Sequence, residues 1–117
     1  MKNKYRHIFE PLIVGNHIIK NRMILGSRHT GLEEGGPDDF SRMGEYFAER
    51  ASTGVGLIIT GGISPNEEGA LDGAIFNQET QVARHKLVTD AVHNASADTT
   101  ICMQILHSGP LAISKEL

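Results

Sequence analysis

The chain has 117 residues, of which 39% are hydrophobic and 21% are charged, and its formal net charge is −3. That composition is typical of one small globular domain, and without a basic or acidic block it argues against a nucleic-acid or membrane-surface role. The lone cysteine, Cys102, cannot form an internal disulfide, and no apolar run has the length of a signal peptide or a membrane span. We therefore expect a cytoplasmic protein.

The N-terminal part predicts a hairpin followed by a buried strand. Residues 11–14 and 17–20 are short apolar runs on either side of Gly15-Asn16, a pair that favours a tight turn. Residues 23–26 form a continuous apolar run, the pattern of a parallel strand that is buried on both faces. A loop rich in glycine and acidic residues follows at 30–39.

The first helix is predicted from an apolar period of 3.6 residues. Its N-cap is expected at Asp38 or Asp39, because a carboxylate can accept hydrogen bonds from the free amides of the first turn. Gly54 is expected to stop the helix, since glycine readily adopts the left-handed conformation found there. The residues on its apolar face are Phe40, Met43, Phe47 and Ala51.

Two more strands and a second helix complete the pattern. The strands are predicted over 57–60 and 101–106, and the helix over 85–97. The polar connection over 63–81 is long enough to indicate either a functional loop or short structure of its own. Cys102 is expected in the core as a small apolar residue. Three histidines are expected to be solvated on the hairpin or the helices: His17, His85 and His93.

Apolar strands that alternate with amphipathic helices predict an α/β fold with a parallel sheet, either an open doubly wound sheet or the start of a (β/α)8 barrel. In both architectures the ligand lies where the strands end. A dinucleotide-binding fold is disfavoured, because the glycines of Gly54-Val55-Gly56 precede a strand instead of following one. His29 and His107 lack a third neighbouring ligand, so no metal site is predicted.

Several segments, in order and at matching spacing, resemble the opening of Old Yellow Enzyme family barrels, and most closely the 2,4-dienoyl-CoA reductase branch. The segments are Phe9-Glu10-Pro11-Leu12, Lys20-Asn21-Arg22, and residues 29–34, 54–62 and 104–109. The resemblance implies the N-terminal portion of a (β/α)8 TIM barrel, namely the hairpin plus about three βα units. Residues 1–117 would then be one partial FMN-binding domain, truncated at its C-terminus.

The resemblance also implies a set of FMN contacts. The backbone of Ser27, Arg28 and His29 would face the flavin ring, and Gly62 would allow the backbone to approach it closely. Gln104 would bind the pyrimidine edge with its amide, which carries both a donor and an acceptor. Without the family, Gln104 is more simply explained as a satisfied polar group in a strand. No catalytic residue is assigned.

The chemistry implied is hydride transfer from NADH or NADPH through FMN to an activated alkene, with enoyl thioesters, enones and nitro compounds all compatible. FAD and a 4Fe-4S cluster are expected only in a full-length chain of the dienoyl-CoA reductase type. Two positions depart from the family. Arg28 stands where Met, Thr or Cys is usual, and Pro110 replaces an arginine.

Two other interpretations remain open. One is a truncated remnant or interaction module that binds no flavin on its own, and the other is an unrelated small α/β binding domain. Three parallel strands leave two free sheet edges and no opposite barrel wall. We therefore expect the chain alone to be oligomeric, prone to aggregation or dependent on the missing part of the barrel.

Overall fold

The structure is a computed structural model that describes residues 4–70 and 74–112. The chain begins with an antiparallel hairpin, in which Leu12 lies opposite Ile19 and Gly15 adopts a φ of +59° in the turn. A parallel sheet of three strands in sequence order follows. The strands are β1 (Leu12–Val14) and β2 (His17–Ile19) of the hairpin, then β3 (Ile24–Arg28), β4 (Leu57–Thr60) and β5 (Thr100–Cys102) of the sheet.

This arrangement confirms the α/β class and the hairpin-plus-βα order, and it is the N-terminal portion of a (β/α)8 barrel. Two strand limits differ from the prediction. β3 continues through Ser27 and Arg28, because Arg28 still pairs with Thr60 after an irregularity in the register. β5 ends at Cys102, and beyond it only an isolated bridge joins Ile63 to Ile105.

The first helix, α1 (Pro37–Ala51), has Gly36 as its N-cap, so the prediction of an Asp38 or Asp39 cap was wrong. Proline fits the first helical position because its fixed φ is helical and it has no amide to satisfy. The two aspartates lie instead in the first turn, where a negative charge favours the helix dipole. Gly54, with a φ of +100°, follows the helix end as expected.

The second helix, α2 (Val82–Ala95), begins and ends earlier than the predicted 85–97. A short 3-10 helix over Glu79–Gln81 leads into it, and Gln81 Oε1 accepts the amides of Asn77 and Gln78. The long connection also contains a bridge between Ser64 and Ile75, which confirms that it has short structure of its own. In the described part of the chain no helix is long and apolar enough to cross a membrane.

The core lies between the two helices and one face of the sheet. Alternate strand residues point into it, among them Leu25, Ile58 and Ile101. Gly44 lets the helices pack closely, since a Cβ there would lie 3.0 Å from the Cβ of Ala91. The buried residues of the cluster are Phe40, Met43, Phe47, Ala51, Val55, Ile58, Val88 and Val92.

The opposite face of the sheet, which we call the open face, carries the intervening residues. Ile24 on β3 is 54% exposed, and Cys102 on β5 is exposed. The prediction of strands buried on both faces was therefore wrong for the described residues, and so was the core placement of Cys102. Only one layer of helices is present among these residues, so it covers only one side of the sheet.

The three histidines that were expected to be solvated differ in their exposure. His17 and His93 are exposed, as expected. His85 is half-buried instead, with its ring 4.9 Å from that of Phe40 and 4.7 Å from that of Phe76. The 3.6-residue period placed it off the apolar face of α2, but the connection before the helix folds back and covers it.

Hydrogen bonds hold the hairpin and the residues that follow it against the amino end of the sheet, where the strands begin. Asn21 Nδ2 donates to the Gly54 carbonyl at 2.6 Å, and Asn21 Oδ1 accepts the amide of Met23 at 3.1 Å. Lys20 Nζ lies 2.9 Å from Asp98 Oδ1, in the turn between α2 and β5. These contacts close the amino end of the sheet, and the hairpin leaves the carboxyl edge, where β3, β4 and β5 end, uncovered.

Candidate functional site

At the carboxyl edge, one serine hydroxyl contacts residues from the two neighbouring strand ends. Ser27 Oγ, at the end of β3, lies 2.9 Å from the Thr60 carbonyl and 2.6 Å from Gln104 Oε1. Its single proton can be donated to one of them at a time. The backbone amide of Gln104 in turn donates to Thr60 Oγ1 at 3.3 Å. Ser27 on β3, Thr60 on β4 and Gln104 just after β5 therefore lie in contact with one another.

The Gln104 side chain retains a free donor. Its Oε1 faces the Ser27 hydroxyl, and its Nε2 amino group makes no hydrogen bond within residues 4–70 and 74–112. An amide held through its oxygen by one neighbour can present its N–H groups to an acceptor on a ligand. This arrangement suits a carbonyl oxygen on the pyrimidine edge of a flavin.

Arg28 and His29 follow Ser27 on the same edge. Arg28 is exposed, and its guanidinium forms no ion pair or hydrogen bond with the described part of the chain. His29 Nε2 lies 3.8 Å from Glu33 Oε2. The three residues predicted from the resemblance thus lie together, but Ser27 and Arg28 belong to β3 and only His29 begins the loop.

The loop after β3 is organised by Glu33, a residue that the sequence analysis did not single out. Its side chain has 0% exposure. Its Oε1 accepts the Thr30 amide and the Thr30 hydroxyl, both at 2.7 Å, and its Oε2 accepts the Gly31 amide at 2.8 Å. The sequence pattern that could have indicated this network is a threonine three residues before a glutamate in a loop that contains glycine.

The electrostatics of Glu33 favour the ionised form. Burial raises the pKa of this carboxyl. The hydrogen bonds donated by Thr30, together with the electrostatic attraction of His29, outweigh burial and hold the pKa below its usual value. The carboxylate is therefore charged at neutral pH.

Two glycines after β4 are required by close contacts. A Cβ on Gly61 would lie 2.8 Å from the Arg28 carbonyl oxygen and 3.0 Å from Glu33 Oε1. A Cβ on Gly62 would overlap the side chain of Leu106, reaching 2.7 Å from its Cβ. Leu106 thus provides a packing reason for Gly62 within the chain itself, beside the flavin contact implied by the resemblance.

The segment after β5 contains Pro110, the position at which the sequence departs from the arginine of the resembled family. Pro110 lies in a short 3-10 helix over Gly109–Leu111, and the Ser108 amide donates to the Gly69 carbonyl at 2.8 Å. His107 Nδ1 accepts the Gly109 amide at 3.1 Å. Proline suits the start of such a turn but brings no charge to the edge.

A cavity of about 40 Å³ lies beneath the edge, between the sheet and the helices. Its walls include Glu33, Thr60 and His85, and burial together with Arg84 lowers the pKa of that histidine. The space holds a water molecule or two and is far too small for a flavin. A ring-shaped ligand would therefore lie on the exposed carboxyl edge. Across the described ranges, no three His, Cys, Asp or Glu side chains are grouped as metal ligands.

Comparison with known proteins finds a match to one family. The profile of the NADH:flavin oxidoreductase / NADH oxidase family matches residues 7–116. A cinnamate reductase from Clostridium sporogenes is 37% identical over 62 residues, which are 52% of this chain and 9% of that protein.

Solved structures show the same fold. The old yellow enzyme homologue from Zymomonas mobilis superposes with a TM-score of 0.67 at 29% identity, over 86% of this chain and 28% of that one. A 2-naphthoyl-CoA reductase in complex with 2-naphthoyl-CoA gives a TM-score of 0.76 at 25% identity, over 90% of this chain and 16% of that one. The chain therefore spans less than a third of each relative.

Proposed function

Because the chain belongs to the NADH:flavin oxidoreductase / NADH oxidase family, which matches it over residues 7–116, we propose that it supplies one side of the FMN site of an ene-reductase. The observation that carries this proposal is the convergence of Ser27 and Gln104 at 2.6 Å on the exposed carboxyl edge. Residues 1–117 would form the first part of the flavin-binding barrel, and the remaining strands would complete it.

The residues present fit FMN by the chemistry of their donors and acceptors. Gln104 would hold the pyrimidine edge through its free Nε2, and Ser27 keeps that amide oriented. The backbone of the exposed residues Arg28 and His29 would contact the ring, with Gly62 at its side. The chemistry supplied by bound FMN is hydride transfer from NADH or NADPH to an activated C=C bond. The residues of this chain bind and orient, and none is assigned as the proton donor.

The substrate class that we propose is α,β-unsaturated carbonyl compounds. The loop over 29–34 resembles that of the 2,4-dienoyl-CoA reductase branch, which favours an enoyl or dienoyl thioester. Oxidation of NADH or NADPH in the presence of a dienoyl-CoA, compared with a simple enone, tests this choice. A faster reaction with the enone than with the dienoyl-CoA would contradict this choice of substrate and favour another branch of the family.

The FMN site is tested by flavin affinity. Gln104→Leu removes the free donor, so the dissociation constant for FMN should rise about tenfold, as expected for one lost hydrogen bond of about 1.4 kcal/mol. Ser27→Ala releases the Gln104 side chain and should raise it by a smaller factor. Ser41→Ala, an exposed serine on α1, is the matched control and should leave the affinity unchanged.

A non-catalytic interaction module is the second candidate, and the unpaired Arg28 at the edge favours it. The two candidates differ in flavin content. Purified protein that carries flavin absorbance and releases FMN on denaturation supports the first. Protein that is colourless, and whose flavin fluorescence titration shows no quenching, supports the second.

A further inference from the structure

Glu33 lies where three parts of the site meet. Its carboxylate binds the backbone of Thr30 and Gly31 in the loop after β3. The same carboxylate faces Gly61 at the end of β4, where a Cβ would come within 3.0 Å of Oε1. Since a Cβ at Gly61 would also crowd the Arg28 carbonyl, one glycine brings β4 against both the end of β3 and Glu33.

We propose that Glu33 is a positioning residue, whose buried carboxylate fixes the loop after β3 and thereby the backbone of Ser27, Arg28 and His29 at the carboxyl edge. A carboxylate that accepts three hydrogen bonds from one short segment leaves that segment few alternative conformations. The Thr30 hydroxyl extends the network, because it also accepts the Leu32 amide at 3.1 Å. The role in flavin binding rests on the proposed function, whereas the fixing of the loop does not.

The acid dependence of the loop follows from the charge on Glu33. Its pKa lies below the ordinary value of 4.5, so the hydrogen bonds to the carboxylate persist at higher pH and are lost as the pH falls through the lowered pKa. The titratable groups that face Glu33 are His29 in its own loop and His85 on α2, across the cavity. β4 contributes the uncharged Thr60 and Gly61.

The test is amide hydrogen exchange at Thr30 and Gly31, measured together with the dissociation constant for FMN. Glu33→Gln keeps the shape of the side chain but offers one acceptor oxygen instead of two, so one amide loses its partner. Exchange at the amide that loses its partner should accelerate about tenfold to a hundredfold, the factor expected for losing a hydrogen bond to a charged acceptor. Glu34→Gln, the exposed neighbour, is the matched control and should change neither readout.

A milder variant covers the case in which Glu33→Gln does not fold. Thr30→Val removes one donor to the carboxylate and keeps the size of the side chain. Because that hydrogen bond contributes to the lowered pKa of Glu33, the pH at which amide protection is half lost should move up towards 4.5. A role limited to filling space would leave this midpoint unchanged.

The outcomes separate the two proposals. Faster exchange with weaker FMN binding in Glu33→Gln supports both. Faster exchange in a protein whose wild type binds no FMN supports the fixing of the loop and overturns the flavin function. Exchange at Thr30 and Gly31 within twofold of the wild type, in a folded Glu33→Gln variant, overturns the role of Glu33.

Discussion

The hydroxyl of Ser27 contacts the side chain of Gln104 at the carboxyl edge of the sheet. It lies 2.6 Å from Gln104 Oε1 across 77 residues of sequence, and when its proton is donated to that oxygen the side-chain amino group of Gln104 stays available. An unsupported glutamine would sample several rotamers, and part of any binding energy would be lost in ordering it. Ser27 thus pre-organises Gln104 for the contact that we propose with FMN.

Arg28 is the residue that separates this edge most clearly from the resembled family. If FMN binds there, an exposed guanidinium beside the ring should stabilise the anionic reduced flavin. Arg28→Met should therefore lower the midpoint potential, by about 30 mV for a two-electron couple, equivalent to about 1.4 kcal/mol. Spectroelectrochemical titration measures the shift. Arg42→Met, on the exposed face of α1, is the control, and an unshifted potential in Arg28→Met would contradict the prediction.

His85 should make stability depend on pH. Burial, followed by the charge of Arg84, lowers its pKa below 6.5, so the unfolded chain binds its proton more readily than the folded one. The free energy of unfolding should therefore fall as the pH drops from above 6.5 towards the lowered pKa. Denaturant titrations at several pH values should show this trend in the wild type and a weaker one in His85→Phe. The exposed His93→Phe should retain the full dependence, and an unchanged slope in His85→Phe would argue against the assignment.

At the scale of elements, the amino end of the sheet is closed by a few polar contacts between the hairpin and the turns below the strands. The most buried of them involve Asn21, which is 8% exposed and binds Gly54 and Met23. Gly56 has to be glycine beside it, because a Cβ would lie 2.6 Å from Asn21 Oδ1. The Asn21 amide therefore aligns the start of β3 with the start of β4, which in turn sets the register of the carboxyl edge.

Asn21→Ala should lower the free energy of unfolding by about 2–3 kcal/mol, since it leaves the Gly54 carbonyl and the Met23 amide without their partners. Urea denaturation followed by circular dichroism measures the loss. Asn94→Ala, on the exposed side of α2, should change it by less than about 0.5 kcal/mol. Equal stabilities of the two variants would mean that the hairpin is held by its apolar contacts alone.

At the scale of the whole molecule, the dominant feature is the open face. Ile24 on this face is 54% exposed, and the strands β3 and β5 each have one unpaired edge within the described sheet. Exposed apolar surface combined with free strand edges favours association. In a complete barrel the same surface would be covered by the remaining strands, so its exposure is consistent with a chain that spans less than a third of the relatives compared.

The 117-residue chain by itself should therefore associate in a concentration-dependent way, which sedimentation velocity can measure. Ile24→Lys places a charge on the open face and should shift the distribution towards monomer. Val82→Lys, at an exposed apolar position on α2, is the matched control and should leave it unchanged. A monodisperse monomer with a cooperative thermal transition in the wild type would contradict the prediction.

The sequence by itself determined the order of the elements, because that order depends on local periods. Alternating strands, the Gly15 turn, the apolar stripe of α1 and the Gly54 stop are all visible in short windows, and the ordered segments from Phe9 onward indicated the barrel family. Element limits were less certain, since Pro37 and the register of Arg28 with Thr60 moved them by a few residues.

Only the tertiary structure decided which residues meet. The contact of Ser27 with Gln104, the packing of Leu106 against Gly62 and the burial of His85 each join segments that are distant in sequence. The loop network of Glu33 is local, but its burial depends on β4 and α2. No local pattern encodes such contacts, because they depend on how the strands and helices pack once the chain has folded. The family and the outline of the proposed flavin edge therefore came from the sequence, while the contacts that support this edge came from the fold.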